Sequence, residues 1–207
     1  GREEDIMGQQ QTFQWKKLEL GTCYYPEHWD KSLWEQDLDR MLEHGIATIR
    51  VGEFAWNLTE PEEGVFTFDF WDGFFDLVEK KGMKVIFGTP TATPPAWPTE
   101  RYPEVLNARR DGTLYRHGMR RHYNYNSKIY QQMSCRIVEQ LGQHYGKRSC
   151  IVGWQIDNEL NCETDEFYSE SDTLAFREFL QEKYGTLEEL NKAWGTLFWN
   201  QTYTAWE

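Results

Sequence analysis

The sequence has no run of about 18 apolar residues, so no transmembrane helix is predicted. It also lacks a leader-like start: residues 1–14 are polar, with no apolar central stretch. Met7 is a candidate initiator, which would make residues 1–6 upstream sequence. Cysteine is scarce and scattered. Cys23, Cys135, Cys150 and Cys162 form no C-x-x-C pair, which argues against a zinc cluster or a dithiol redox motif. Their spacing matches no small disulfide scaffold, so free thiols in a reducing compartment, the cytoplasm, are expected. Basic charge is short as well. Lys and Arg number 22 against 34 Asp and Glu, a net charge of −12. Phosphate-rich partners need a basic face, so nucleic acid is not expected, nor is an anionic membrane surface. There is no internal repeat, no low-complexity tract and no cofactor motif. A neutral small-molecule ligand, with no cofactor and no metal, is the remaining expectation.

Aromatic residues are plentiful, at 16 % of the chain with 10 Trp. Core packing explains most aromatics. Flat apolar rings also cover the C–H face of a sugar, and the excess suits such a cleft. Short apolar runs alternate with helical patterns along the chain. Strands are predicted over 18–24, 47–51, 84–87 and 151–156. Helices are predicted over 30–44, with Asp30 or Ser32 as N-cap and Gly45 past the end, then over 70–81, 127–145, 171–184 and 187–194. In the first helix Leu33, Trp34, Leu38, Met41 and Leu42 share one stripe. A long proline-rich stretch, 89–126, reads as an extended loop over a surface.

This β-α order predicts a parallel sheet with helices outside it. Turns before the strands are short. Loops after them are long and carry aromatics and carboxylates, as at the mouth of a (β/α)8 TIM barrel. A doubly wound sheet is the rival, but no glycine-rich loop follows the first strand. Four β/α units are visible, so residues 18–207 read as the N-terminal half of a barrel and residues 1–17 as an extension. An unclosed sheet has open edges, and the polypeptide is expected to continue beyond Glu207.

The most informative segment is IVGWQIDNE, Ile151 to Glu159. A buried strand here delivers Asp157, Asn158 and Glu159 to the barrel mouth. Glycoside hydrolysis needs one carboxylic acid to protonate the leaving oxygen and a second carboxylate across the anomeric carbon. Glu159 fits the first role, since partial burial raises a carboxyl pKa. Asn158 fits a hydrogen bond to the sugar 2-OH. The alternative for Glu159 is an ordinary surface carboxylate.

Six strings in order make the case specific: LGTCYYPEHW, IRVGEFAWNLTEPEEGVFTFDFWD, GTPTATPPAWPTERYPEVL, RRHYNYNS, GWQIDNE and LNKAWGTLFWNQTY. From about Leu18 to Glu207 the chain resembles glycoside hydrolase family 42. The resemblance implies a TIM-barrel retaining β-galactosidase that removes terminal non-reducing β-D-galactose from small or oligomeric β-galactosides. It implies Glu159 as acid/base, with Asn158 and Arg120 as galactose-binding residues, and a homo-oligomer, by resemblance a trimer. Without it, Arg120 and Arg121 would read as a solvated basic pair. The sequence departs from the family pattern twice. The nucleophile, a Glu at the end of the seventh strand, would lie beyond Glu207. Some members also carry a cysteine zinc cluster after the fourth strand, but here Cys162 stands alone and Asn124 replaces another of its cysteines, so no metal is predicted.

Other candidates have two readings each. Glu53 faces the barrel mouth either as a tie between active-site groups or as a structural ion pair. Trp56, Trp97 and Trp154 line the sugar site or the core. His28 and His122 have no visible partners at metal spacing and read as structural. Two rival functions remain: an inactive or galactoside-binding barrel fragment, and a barrel glycosidase for another sugar.

Overall fold

The computed structural model describes residues 18–118, 120–160 and 162–207. The predicted extension, residues 1–17 with Met7, lies outside the described residues.

Strand β1 (Leu20–Cys23) leads to helix α1 (Lys31–Glu43), and strand β2 (Ile46–Val51) to the short helix α2 (Trp56–Thr59) and to α3 (Asp69–Lys80). Strand β3 (Lys84–Gly88) is followed by the short helix α4 (Ala96–Arg101) and the long helix α5 (Lys128–Tyr145). Strand β4 (Ile151–Gln155) precedes α6 (Glu170–Tyr184) and α7 (Leu187–Trp194). The strands form one four-stranded sheet in the order β1-β2-β3-β4, and all pairs are parallel. Sequential parallel order with helical crossovers is the repeat of a (β/α)8 barrel, of which four β/α units are present.

Local chemistry accounts for the helix ends. Asp30 caps α1 by accepting from the Ser32 N–H, Ser127 caps α5, Ser169 caps α6 and Thr186 caps α7. Gly45 follows α1 at φ 76°, a left-handed value that costs glycine little. The stripe on α1 is narrower than its sequence suggests. Trp34 and Leu38 are buried, whereas Leu33 is 38 % exposed.

The core lies between the sheet's outer face and the helices. Ile49 and Val51 of β2 and Val85 and Phe87 of β3 pack under Trp34 and Leu38 of α1, Trp71, Phe74 and Phe75 of α3, and Ile137, Leu141 and Tyr145 of α5. Phe87 is the hub, with ring centroids at 5.0 Å from Trp71, 5.1 Å from Phe75, 5.6 Å from Tyr145 and 5.3 Å from Trp154. Alternation then turns Arg50 and Gln155 to the concave side. Among the described residues no further strand pairs with either sheet edge: every residue of β1 is exposed and none of β4 is fully buried.

The 89–126 stretch differs from the surface loop predicted. It holds α4 and two short 3-10 turns, and Thr89, Thr91, Val105, Asn107, His122, Tyr123 and Asn124 are all buried. Prolines mark turn starts here rather than a solvated excursion. Asn124, at 0 % exposure, donates through Nδ2 to the carbonyls of Glu104, Val105 and Leu106 at 3.1–3.3 Å. Its Oδ1 accepts from Ser171 at 2.9 Å, which ties the segment to α6.

Candidate active site

Glu159 stands four residues past β4, at the end where the strands point. It and Arg50, Gln155, Ile156, Asp157, Asn158, Leu160 and Cys162 line an open cleft of about 660 Å³. The backbone bends sharply there. Asp157 has φ 56° and Glu159 has φ 44°, both in the left-handed region. Such a conformation costs on the order of 1–3 kcal/mol for a side-chain-bearing residue and needs outside support.

Arg121 supplies much of that support. It is 4 % exposed, and its guanidinium donates to the backbone carbonyls of Asn158 and Glu159, to the phenol oxygens of Tyr123 and Tyr125, and to Asp157 Oδ1 at 3.3 Å. Asp157 is held from its other side. Its Oδ2 accepts from Thr91 Oγ1 at 2.6 Å, and its N–H donates to Thr89 Oγ1 at 2.7 Å. The strand end of β3 thus grips the strand end of β4. Burial pushes the Tyr123 phenol well above its ordinary pKa, so it stays a neutral member of this network.

Of the three residues singled out in the sequence, Arg120 reaches Glu159, and Asn158 lines the same cleft as Glu159. The Arg120 guanidinium donates to Glu159 Oε2, and its other arm lies 3.2 Å from Glu163. The guanidinium carbon sits 5.4 Å from the Phe54 ring centroid. Asn158 is 7 % exposed, and its Oδ1 accepts from Gln155 Nε2 at 3.0 Å. Electrostatics correct one expectation. The Glu159 side chain is 54 % exposed rather than partly buried. Its carboxyl is held below the ordinary carboxylate range, first by the Arg120 hydrogen bond and then by the Cys162 thiol.

Sequence reasoning missed several residues. Of the adjacent pair, Arg120 reaches the Glu159 carboxylate while Arg121 binds the backbone beneath it, a division that the sequence does not signal. Arg50 also lines the cleft: it lies 3.2 Å from Glu53 and donates to Cys23 Sγ at 2.9 Å. Glu53 is 0 % exposed and accepts from the Tyr25 hydroxyl at 3.0 Å, so it is the ion-pair partner that orients Arg50. Glu53 Oε2 has no hydrogen-bond partner among the described residues. Gly88 makes room for it, since a Cβ there would fall 2.6 Å from the Glu53 Cβ. None of the three tryptophans lines this cleft. Trp56 is core, at 1 % exposure, Trp154 packs on Phe87, and Trp97 borders a separate cavity of about 440 Å³ with Glu62, Glu63, Glu100 and Arg101. His122 is buried with its ring 4.9 Å from that of His117, and His28 lies beside Trp29. Among the described residues no three His, Cys, Asp or Glu side chains converge as metal ligands, and no helix is long and apolar enough to cross a membrane.

The family model described as β-galactosidase, glycoside hydrolase family 42, matches residues 23–207. The chain belongs to that family. The β-galactosidase of Thermus thermophilus is 47 % identical over 185 residues, which are 89 % of this chain and 29 % of that protein. The crystal structure of β-galactosidase from the psychrophilic Marinomonas ef1 is 44 % identical, with a TM-score of 0.87 over 91 % of this chain and 29 % of that one. The polyextremophilic β-galactosidase of Halorubrum lacusprofundi is 40 % identical, also with a TM-score of 0.87, over 91 % and 28 %. This family 42 chain therefore spans about 29 % of the length of the relatives it matches. The catalytic domain of a β-amylase from Paenibacillus polymyxa, at 15 % identity and a TM-score of 0.68, shares the fold alone.

Proposed function

We propose that the protein carrying this family 42 chain is a retaining β-galactosidase, with Glu159 as its acid/base. The observation that carries the reading is a carboxyl group set past a barrel strand in a left-handed backbone, facing an open cleft beside Asn158 and gripped by Arg120. The similarity to named β-galactosidases supplies the sugar. The second carboxylate, about 5–5.5 Å from the first in a retaining site, is assigned to the part of the relatives' length that this chain does not span.

The steps follow from that pair. The nucleophile's carboxylate attacks the anomeric carbon while the bond to the leaving oxygen breaks, and Glu159 gives that oxygen its proton. A galactosyl-enzyme ester results. Water then attacks the same carbon, returns a proton to Glu159, and galactose leaves. With its Oδ1 held by Gln155, Asn158 turns its Nδ2 donors to the sugar hydroxyls. Arg120 binds substrate and orients Glu159. The depressed pKa seen here suits the base half of the cycle, and a second carboxylate nearby raises it for the acid half.

Replacing Glu159 with Ala in the whole protein is expected to abolish hydrolysis of lactose-type substrates while sparing the first step on a dinitrophenyl galactoside, whose leaving group needs no proton. Near-normal lactose hydrolysis by that variant would sink the assignment. Rates on nitrophenyl β-galactoside, β-glucoside and α-arabinoside test the sugar. We further propose residues 18–207 as one half-barrel unit following a separate extension. The assembly is a homo-oligomer, by resemblance a trimer, and the compartment is the cytoplasm, in keeping with four free thiols.

A further inference from the structure

We propose that Glu163 is a positioning residue: it takes one arm of the Arg120 guanidinium and so limits how strongly that cation acts on Glu159. The inference rests on the reading of Glu159 as the proton donor. The geometry is a shared cation. Arg120 reaches Glu159 with Nη2 and Glu163 with Nη1, at 3.2 Å for the second, while Phe54 covers the guanidinium at 5.4 Å. Asp165 and Glu166 lie on the same loop but make no ion pair with Arg120 among the described residues. Glu163 reaches it from a left-handed backbone, φ 69°.

Two carboxylates on one guanidinium compete. With Glu163 present, part of the positive charge is answered before it acts on Glu159. With Glu163 neutral, the whole guanidinium favours the Glu159 carboxylate, and fewer molecules hold the proton that the leaving oxygen needs. Among the described residues, the other titratable or charged groups around Glu159 are the Cys162 thiol, the Arg121 guanidinium bound at its backbone carbonyl, Asp157 in the same cleft lining, and Arg50 across the cleft. The arginines keep their charge when Glu163 is replaced; the Cys162 thiol is held up first by its hydrogen bond to Glu159, with the Glu163 charge a smaller cause.

The pair is more than a third exposed on each side, so solvent screens it. An exposed pair of this kind is worth about two- to fivefold in a rate. The test is the pH profile of kcat/KM in the whole protein, for Glu163→Gln, Glu163→Lys and Glu163→Asp. With lactose, the alkaline limb is expected to move to lower pH in Glu163→Gln and further in Glu163→Lys, losing about two- to fivefold on that limb for Gln. Glu163→Asp is expected to restore the parent profile. With a dinitrophenyl galactoside all four proteins should agree. Unchanged alkaline limbs in both Gln and Lys variants would overturn the inference, as would an equal loss on both substrates at every pH, the mark of a structural defect. The underlying reading fails separately: it falls if Glu159→Ala keeps its lactose activity, whatever Glu163 does.

Discussion

Arg121 shows how much one side chain decides. Five oxygen atoms converge on it, two of them the carbonyls that flank Glu159. Replacing Arg121 with Met leaves buried Asp157 without its cation and is expected to cost about 3–5 kcal/mol, read from urea denaturation. Replacing it with Lys keeps the charge and loses the planar fork, so the strand end loosens. A displacement of about 1 Å there costs on the order of 10²-fold in kcat, with thermal stability falling far less than in the Met variant. For Glu159 the sign follows from its partner. Its folded pKa is depressed, so the Arg120 pair is present above the unfolded value and is lost as pH falls through the folded one. In residues 18–207 alone, without the second carboxylate, carboxyl NMR should find its midpoint below the ordinary value of about 4.3. Arg120→Ala should bring the midpoint back up.

At the scale of elements, the strand ends of β2, β3 and β4 are built against each other. Gly88 lets Glu53 lie against β3, and Thr89 and Thr91 just past that strand hold Asp157. Gly88→Ala has no room and is expected to cost about 1–3 kcal/mol by overpacking. It should also weaken kcat, because Glu53 orients Arg50 in the cleft. Much of this layer is legible in the sequence. The four strands and five long helices fall within a residue or two of their predicted positions, because apolar period and caps are local signals. Helix α2 is not legible in the sequence because four residues hold too little periodicity. The 89–126 segment departs from the expected surface loop because its buried hydrogen bonds, such as Thr91 to Asp157 and Asn124 to Ser171, depend on chain far away in sequence.

Across the whole molecule, the four β/α units leave two kinds of surface uncovered. One is the concave sheet face with Arg50 and Gln155. The other is apolar: Phe176 and Phe179 of α6, and Leu197, Phe198 and Trp199 after α7, are each at least 50 % exposed. Exposed apolar clusters, Phe176 against Phe179 and Phe198 against Trp199, mark interaction surfaces or aggregation sites, and the exposed β1 strand adds to them. Prepared alone, residues 18–207 should therefore associate with rising concentration and bind a hydrophobic dye. Light scattering of a monodisperse monomer at high concentration would refute this.

Sequence alone determined the element order, the barrel class and the carboxylate at the end of the fourth strand. Each of these is carried by residues close together in the chain, by the repeat of apolar positions and by short strings around Glu159. Tertiary structure decided which arginine reaches that carboxylate, that Glu53 serves Arg50, that the tryptophans stay out of the cleft, and which way the Glu159 pKa moves. Those outcomes depend on distances between β2, β3, β4 and the loops after them, and such distances exist only once the sheet has brought the strand ends together.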